Sequence, residues 1–127
     1  MHRNRTLITA ALLLALAGCT DDLLSGPGNS GGDFSISVGS GTTPTYSWSA
    51  GPGFSIDVVR TSNQTQVVWR ITDPTEPRNI ASPVRHGVVP TGSIESSAIE
   101  RVLTPGIQYR VTVNLANGQS AFQDFTP

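Results

Sequence analysis

Beyond residue 33, apolar and polar side chains alternate with a period of two, the pattern of strands that bury one face. Four predicted strands each bury three residues: Phe34, Ile36 and Val38; Tyr46, Trp48 and Ala50; Phe54, Ile56 and Val58; and Val67, Trp69 and Ile71. On the opposite face of the third strand are Ser55 and Asp57, and on that of the fourth are Val68 and Arg70. A fifth strand places Ile107, Tyr109, Val111, Val113 and Leu115 on its buried face. The pattern predicts an all-β domain.

Asn117-Gly118 follows the last of these strands and is a strong hairpin signal, because a type I′ turn requires positive φ at both central positions. A two-residue turn there pairs Val113 with Phe122 on the buried face. It also pairs Val111 with Asp124, a poor match. We therefore expect a bulge or a strand end near Gln123–Asp124 that lets Phe125 turn inward.

Residues 73–93 are less regular and contain four prolines, which cannot donate a ladder hydrogen bond. We expect loops and edge strands here, with short strand pieces at Ile80 and within 84–89. If the domain binds a partner, the proline-rich stretch 73–92 or the loop at 51–53 is the expected site.

Composition supports the all-β prediction. From Asp33 onward the chain has 11 Val, 7 Ile and 11 Thr but only 2 Leu and no Met. β-branched residues suit a pleated, half-buried surface, whereas helix interiors favour Leu, Ala and Met. Frequent Gly and Pro interrupt the longer windows, so little helix is expected.

The amino terminus carries a different pattern. Met1 to Arg5 is short and positively charged, and an almost wholly apolar run from Leu7 to Ala17 follows it. The run ends before Asp21-Asp22 and is shorter than the roughly 20 residues that a membrane-spanning helix needs. These features predict a secretory signal peptide at 1–18.

The end of this segment, Leu16-Ala17-Gly18-Cys19, resembles the bacterial lipobox. The resemblance implies cleavage between Gly18 and Cys19, a diacylglyceryl thioether on Cys19 and usually acylation of the new amino terminus. Two or three acyl chains anchor a protein stably, since each buried methylene contributes about 0.8 kcal/mol. The alternative is an ordinary signal-peptidase site with an incidental cysteine.

Cys19 is the only cysteine, so a lipidated protein has neither a disulfide nor a free thiol. Thr20 stands where an aspartate would favour inner-membrane retention in the enterobacterial sorting pattern. We expect a lipid-anchored protein of the cell envelope, in the outer membrane if the organism has one.

Cleavage leaves 109 of the 127 residues, enough for one domain. Residues 19–32, rich in Gly, Ser and Asp, are predicted to form a flexible linker that spans about 20 Å, and 33–127 to form the domain. The net charge is −1, and it becomes −3 when Arg3 and Arg5 leave with the signal. The chain has no lysine and its arginines are dispersed, so nucleic-acid binding is not expected.

Residues 103–113 resemble the E–F corner and F strand of a fibronectin type III domain. That family has a Leu-x-Pro-Gly-x-x-Tyr pattern, matched here by Leu103, Pro105, Gly106 and Tyr109. The pattern implies a tyrosine corner, in which the phenol hydroxyl reaches a backbone group a few residues upstream. Trp48 is similar to the core tryptophan that the family keeps at the end of strand B.

Taken over 33–127, the resemblance implies an immunoglobulin-like or fibronectin type III-like sandwich of two antiparallel sheets and about seven strands. A jelly roll or another immunoglobulin-like sandwich is the alternative fold. The resemblance also implies a role as a spacer or as a module that contacts protein or carbohydrate.

His86 is the only histidine after the signal. A zinc site usually needs three or four ligands, and no second histidine or thiol is available, so no metal or cofactor is expected. As a general base His86 would need Ser93, Ser96 or Ser97 beside it, and nothing in the pattern favours that. We interpret His86 as a solvated loop residue.

Other candidates are also weak. Glu95 and Glu100 could formally make a glycosidase pair, but a sandwich of this size offers little room for a deep cleft. Asn63-Gln64-Thr65 matches a glycosylation sequon that is normally unused in bacteria. Trp69 could be an exposed binding platform, but it lies two positions from Val67 and from Ile71 on one strand and so shares their inward face, which favours the core.

The sequence therefore predicts a membrane-anchored lipoprotein that displays a non-catalytic interaction or structural domain with an unknown protein or carbohydrate partner. The alternatives are a small envelope hydrolase and an accessory subunit of a larger envelope complex. The hydrolase requires a pocket in which His86 meets a carboxylate and a hydroxyl.

Overall fold

A computed structural model of the chain describes residues 29–127. Nine strands and no helix occur in this range: β1 (Ser30–Gly32), β2 (Ser37–Val38), β3 (Thr45–Ser47), β4 (Gly53–Arg60), β5 (Asn63–Thr72), β6 (Val84–Arg85), β7 (Ile94–Ala98), β8 (Tyr109–Leu115) and β9 (Ser120–Phe125). No helix capable of crossing a membrane is found there. The predicted signal peptide, the cleavage site at Gly18 and Cys19, and the linker up to residue 28 lie outside the described residues.

The strands form two antiparallel sheets arranged like a sandwich. The large sheet is curled and has the order β1-β9-β8-β4-β5-β7, and the small sheet has the order β2-β3-β6. One hydrophobic core unites residues from both sheets, among them Tyr46 and Trp48 from the small-sheet side and Ile56 and Val111 from the large sheet. The predictions of an all-β domain and of two antiparallel sheets are confirmed.

Strand β8 lies in the middle of the large sheet and follows the predicted alternation throughout. Tyr109, Val111, Val113 and Leu115 are buried, and the residues between them are only partly covered. Across the pair with β4, Val111 opposes Val58 and Val113 opposes Ile56. Each such valine contributes about 1.5–3 kcal/mol relative to leaving its side chain in water, so these pairs hold the centre of the sheet.

Bulges change the facing of two residues from the predicted pattern. In β5, Trp69 opposes Val58 and Val67 opposes Val59, which leaves Val68 as the extra residue. Val68 is 1% exposed and joins the core, so the prediction that Val67 faced inward and Val68 outward was wrong. Phe54 lies at a second irregularity, and its ring packs under the Arg78 guanidinium, 4.0 Å from centroid to Cζ. A bulge adds one residue to one strand, which breaks the alternation on which the prediction relied.

The β8–β9 hairpin has a three-residue loop instead of the predicted two-residue turn. Leu115 N donates to Gln119 O at 2.8 Å, and Gly118, with φ +91°, completes the turn. Non-glycine residues with positive φ are absent from the described range, so Asn117 does not take the conformation that a type I′ turn needs. Three-residue loops that end in a left-handed glycine are the next common hairpin type.

This loop shifts the register by one residue from the prediction. Val113 pairs with Ala121 and Val111 with Gln123, so the predicted pairs with Phe122 and Asp124 were wrong. The pairing runs without a bulge to Tyr109–Phe125, and Phe125 is buried as expected. Asp124 consequently lies opposite Arg110 instead of Val111.

Strand β1 extends the ladder into the predicted linker. Its three residues pair with β9, where a Cβ on Gly32 would come 2.5 Å from Ala121 Cα. Only glycine permits so close an approach. Composition favoured a linker because this stretch is poor in apolar residues, but a strand at a sheet edge needs only backbone pairing.

The proline-rich region forms loops and short edge pieces, as predicted. Ile80 makes an isolated bridge to Gly53, and β6 is an edge strand of the small sheet. Between Asp73 and Ile80, the Asp73 carboxylate accepts hydrogen bonds from the backbone amides of Thr75 (3.1 Å) and Asn79 (2.8 Å). These bonds hold the loop in one conformation and lower the pKa of Asp73.

Candidate functional site

Several residues with ionisable or aromatic side chains surround one histidine between the two sheets. We call His86, Tyr46, Trp69 and Glu100 the His86 cluster. Tyr46 lies on β3 of the small sheet and Trp69 on β5 of the large sheet. His86 directly follows β6, and Glu100 lies in the loop after β7. Four separate stretches of chain therefore converge on the imidazole ring.

Both nitrogens of the His86 ring have partners. Nδ1 lies 2.9 Å from Tyr46 Oη, and Nε2 lies 2.7 Å from the backbone oxygen of Glu100. A carbonyl oxygen can only accept, so the partners assign the proton to Nε2, and the Tyr46 hydroxyl donates to Nδ1 of the neutral ring. The Trp69 ring packs at 4.7 Å between centroids.

The interpretation of His86 as a solvated loop residue was wrong, because its side chain is 1% exposed. Val84 pairs with Tyr46, and the His86 amide donates to Pro44 O at 2.9 Å, so the chain continues the line of β6. Val84 and His86 therefore point to the same, inward side. The two-residue spacing from Val84 was the sequence signal that could have located His86 in the core.

Burial sets the protonation of the cluster. Removal from water lowers the pKa of His86, against weaker opposing effects of its hydrogen bond to Glu100 and of nearby carboxylates. Burial also raises the pKa of Tyr46 well above its usual value, with a smaller contribution from Tyr109. Both side chains are neutral at pH 7, so the hydrogen bond between them carries no net charge.

Glu95 and Glu100, the candidate glycosidase pair, each form an ion pair with an arginine. Glu95 forms an ion pair with Arg101, and its Oε2 accepts from Trp69 Nε1 at 2.8 Å. Glu100 accepts two bonds from Arg60, at 2.7 and 3.1 Å.

These arginine contacts lower the pKa of both glutamates. A glycosidase needs one carboxylic acid with a raised pKa, so Glu95 and Glu100 have the electrostatics of ion pairs and not of an acid–base pair.

Tyr109 is fully buried, and its hydroxyl makes two hydrogen bonds. It accepts one from the Thr104 backbone amide at 2.9 Å and donates one to Glu100 Oε1 at 3.1 Å. Leu103 is also buried, while Pro105 and Gly106 are exposed in the turn, with Gly106 at φ +81°. The backbone carbonyl of Glu100 thus holds His86, and its carboxylate holds Tyr109.

Both tryptophans belong to the core. Trp69 has no exposed surface, which confirms the core interpretation over a binding platform. Trp48 is also buried, and its Nε1 donates to Gly51 O at 2.8 Å. Among residues 29–127, no group of three or more His, Cys, Asp or Glu is placed to hold a metal ion.

The remaining candidates are spread over the surface. Asn63 of the sequon is exposed at the start of β5 and accepts a hydrogen bond from Thr65. Ser97 donates its hydroxyl to Val67 O at 2.7 Å. Of the serines named beside His86, Ser93 and Ser96 make no side-chain hydrogen bond with it, and both ring nitrogens are already engaged elsewhere.

Within residues 29–127, the exposed large apolar side chains are concentrated in one stretch of sequence, a feature that the sequence analysis missed. These residues are Val88, Val89, Ile94, Ile99 and Val102, and together with strand β7 we call them the apolar edge. β7 ends the large sheet and pairs only with β5 among the described strands. Single exposed apolar residues scattered over a surface are common, but it is uncommon for five of them to lie within fifteen consecutive positions.

Comparison with protein-family models, curated proteins and solved structures finds no match to this chain. The His86 cluster and the apolar edge are therefore identified as candidates by geometry alone.

Proposed function

We propose that this chain is a bacterial lipoprotein, anchored to a membrane through Cys19, whose domain is a non-catalytic module that binds an extended segment of a partner protein. One observation carries the proposal. The candidate catalytic groups are engaged inside the fold, whereas the exposed large apolar side chains of the described residues all fall between positions 88 and 102, the stretch that contains the edge strand β7.

The state of the reactive groups supports a non-catalytic role. A general base must reach the proton it abstracts from substrate. In His86, instead, Nδ1 is hydrogen-bonded to Tyr46 and Nε2 to the backbone carbonyl of Glu100, within the core. The hydrolase alternative requires a His86 that a substrate can reach, and a buried His86 gives that alternative no support.

The contacts of Tyr109 and Trp48 support assignment of the domain to the fibronectin type III-like group of sandwiches. A phenol hydroxyl bonded to an amide five residues upstream is the expected form of a tyrosine corner. The departures are β1 and β7, which extend the large sheet at its two edges.

The apolar edge fits protein better than carbohydrate. β7 has one side without a strand partner in the described fold, and its unpaired backbone groups can bind an added strand. Ile94 at its start and Ile99 directly after its end supply apolar contacts. Sugar-binding surfaces typically rely on exposed aromatic platforms, and both tryptophans here are buried.

The topology also supports access to this edge in an anchored protein. The segment from Cys19 enters the fold at β1, which is the opposite edge of the large sheet from β7. The apolar edge overlaps the expected 73–92 binding region only at Val88 and Val89, and it excludes the 51–53 loop.

Site-specific photocrosslinking in cells tests the proposed surface. A photoreactive residue replaces Ile99, and the matched control replaces Asn117, which is exposed in the β8–β9 loop. We expect one discrete protein adduct from position 99 and none from 117. Equal labelling at both positions, or no adduct at 99, would contradict the assignment. Copurification of the captured protein in fixed stoichiometry would make the chain an accessory subunit of that complex.

A further inference from the structure

We infer that His86 is an acid-sensitive latch that holds together two loops of the apolar edge, 86–89 and 99–103, and fastens them to the small sheet. These loops carry four of the exposed apolar residues of the apolar edge: Val88, Val89, Ile99 and Val102. The inference adds regulation to the proposed contact surface, but its test does not require a partner.

The imidazole ring is the link between the two loops. It belongs to the first loop, its Nε2 donates to the carbonyl of Glu100 in the second, and its Nδ1 accepts from Tyr46 on β3. The loops also touch directly, since a Cβ on Gly87 would lie 2.6 Å from Arg101 O. Backbone bonds also fasten the loops, from His86 N to Pro44 O, from Glu100 N to Val68 O and from Leu103 N to Thr42 O. Glu100 and Arg101 of the second loop are held in addition by ion pairs with Arg60 and Glu95.

The groups around the ring offer no free negative charge. Tyr46 faces it from β3, and Trp69 faces it from β5 with Glu95 of β7 bonded to the indole. Glu95 is paired with Arg101, and Glu100 with Arg60 and with Tyr109 of β8. A proton added to His86 would therefore place a positive charge in the core with its nearest carboxylates already neutralised.

Protonation would also break the Tyr46 hydrogen bond. A cationic ring donates from both nitrogens, so Nδ1 could no longer accept the phenol proton. The buried hydroxyl would have to turn and leave its own proton without an acceptor, which is costly in an interior. The cation is instead accommodated when loops 86–89 and 99–103 separate and water reaches the ring.

Linkage gives the size of the effect. A solvated histidine has a pKa of about 6.5, so lowering the pH from 7.5 to 5.0 favours the open form by at most about 30-fold, if the closed form stays neutral. Glu95 and Glu100 titrate below this range, because their arginine partners lower the pKa of both. The response between pH 7.5 and 5.0 is thus attributable to His86.

Amide hydrogen exchange, followed by NMR on the full chain in detergent, tests the latch. The reporters are the hydrogen-bonded amides of His86, Glu100 and Leu103, and the local control is the Ile80 amide, bonded to Gly53 O at 3.0 Å. We expect the reporters to be less protected than Val111 and Val113 at both pH values. We also expect their protection to fall about 10- to 30-fold from pH 7.5 to 5.0 while that of Ile80 is unchanged.

His86→Gln is the matched variant, because its side-chain amide can still donate to Glu100 O but does not titrate. In this variant the pH response of the reporters should disappear. Reporters that exchange at the rate of Val111 and Val113, a missing response, or a response retained in His86→Gln would each overturn the latch.

If His86→Gln does not fold, the ring proton signals of His86 in the unaltered protein provide a second measurement. The latch predicts a midpoint below that of a solvated histidine, shared by the amide shifts of Gly87 and Arg101. Titration of His86 at the ordinary value without those amide shifts would overturn it.

Discussion

Arg110 and Asp124 face each other across the β8–β9 hairpin and form a two-bonded ion pair, with Nε 2.6 Å from Oδ1 and Nη2 3.1 Å from Oδ2. The pair exists only because the hairpin loop has three residues. Asp124 is 3% exposed. The Arg110 guanidinium also stacks over the Phe122 ring, with Cζ 4.1 Å from the ring centroid. A carboxylate this well buried must keep its partner.

Replacement of Asp124 by alanine should therefore lower the free energy of unfolding by about 2–4 kcal/mol, because it leaves Arg110 uncompensated. Glu76→Ala is the control, since Glu76 is 75% exposed in its pair with Arg78 and should cost less than about 0.5 kcal/mol. Chemical denaturation of both variants measures the difference. Equal small losses would mean that the Arg110–Asp124 pair adds nothing, and that the observed register is not fixed by it.

Gly87 and Gly92 form a matched pair for testing loop contact. Both have positive φ, +80° and +87°, but only Gly87 lies against another segment, the Arg101 backbone. Gly92→Ala should cost about 1 kcal/mol for the backbone conformation alone. Gly87→Ala should cost at least about 1–2 kcal/mol more, since the new methyl forces the two loops apart. Thermal unfolding at pH 7.5 compares them, and equal midpoints would rule out the close contact of 86–89 with 99–103.

Global stability should decline in two separate pH ranges. Because the folded pKa of His86 is lowered, the unfolded chain binds more protons as the pH falls below about 6.5, and stability declines by at most about 1.4 kcal/mol per pH unit. Asp73, Glu95 and Glu100 also have lowered pKa values, but their contribution is present above the unfolded carboxyl pKa and is lost only as the pH falls below about 4.5.

Denaturant unfolding at closely spaced pH values resolves the two ranges. His86→Gln should remove the upper decline and keep the lower one. A stability curve that is flat from pH 7 to 5 would show that His86 has the same proton affinity in the folded and the unfolded chain.

The sequence predicted the parts of the fold that depend on uninterrupted alternation. Tyr109, Val111 and Val113 are buried on β8 as expected, and the class and the two-sheet arrangement follow from such strands. The facing of Val67 and Val68 was not predictable in this way, because one bulged residue reverses the pattern and no local signal marks it.

The hairpin and the histidine were missed for different physical reasons. At Asn117-Gly118 both turn types satisfy the local sequence, so that dipeptide alone does not reveal the register, in which Arg110 lies opposite Asp124. The environment of His86 depends on Tyr46, forty positions earlier, and on Glu100, fourteen later. The spacing from Val84 could have indicated that His86 faces inward, but it could not have identified these distant partners.

Intact-mass analysis of the protein extracted from cell membranes tests the central claim most directly. A lipid-anchored module predicts a chain that begins at Cys19 and is heavier than residues 19–127 by a diacylglyceryl group, usually with a third acyl chain. Cys19→Ala should abolish the added mass and release the protein from the membrane fraction. A free thiol on Cys19 in the native protein, or an uncleaved chain beginning at Met1, would contradict the claim.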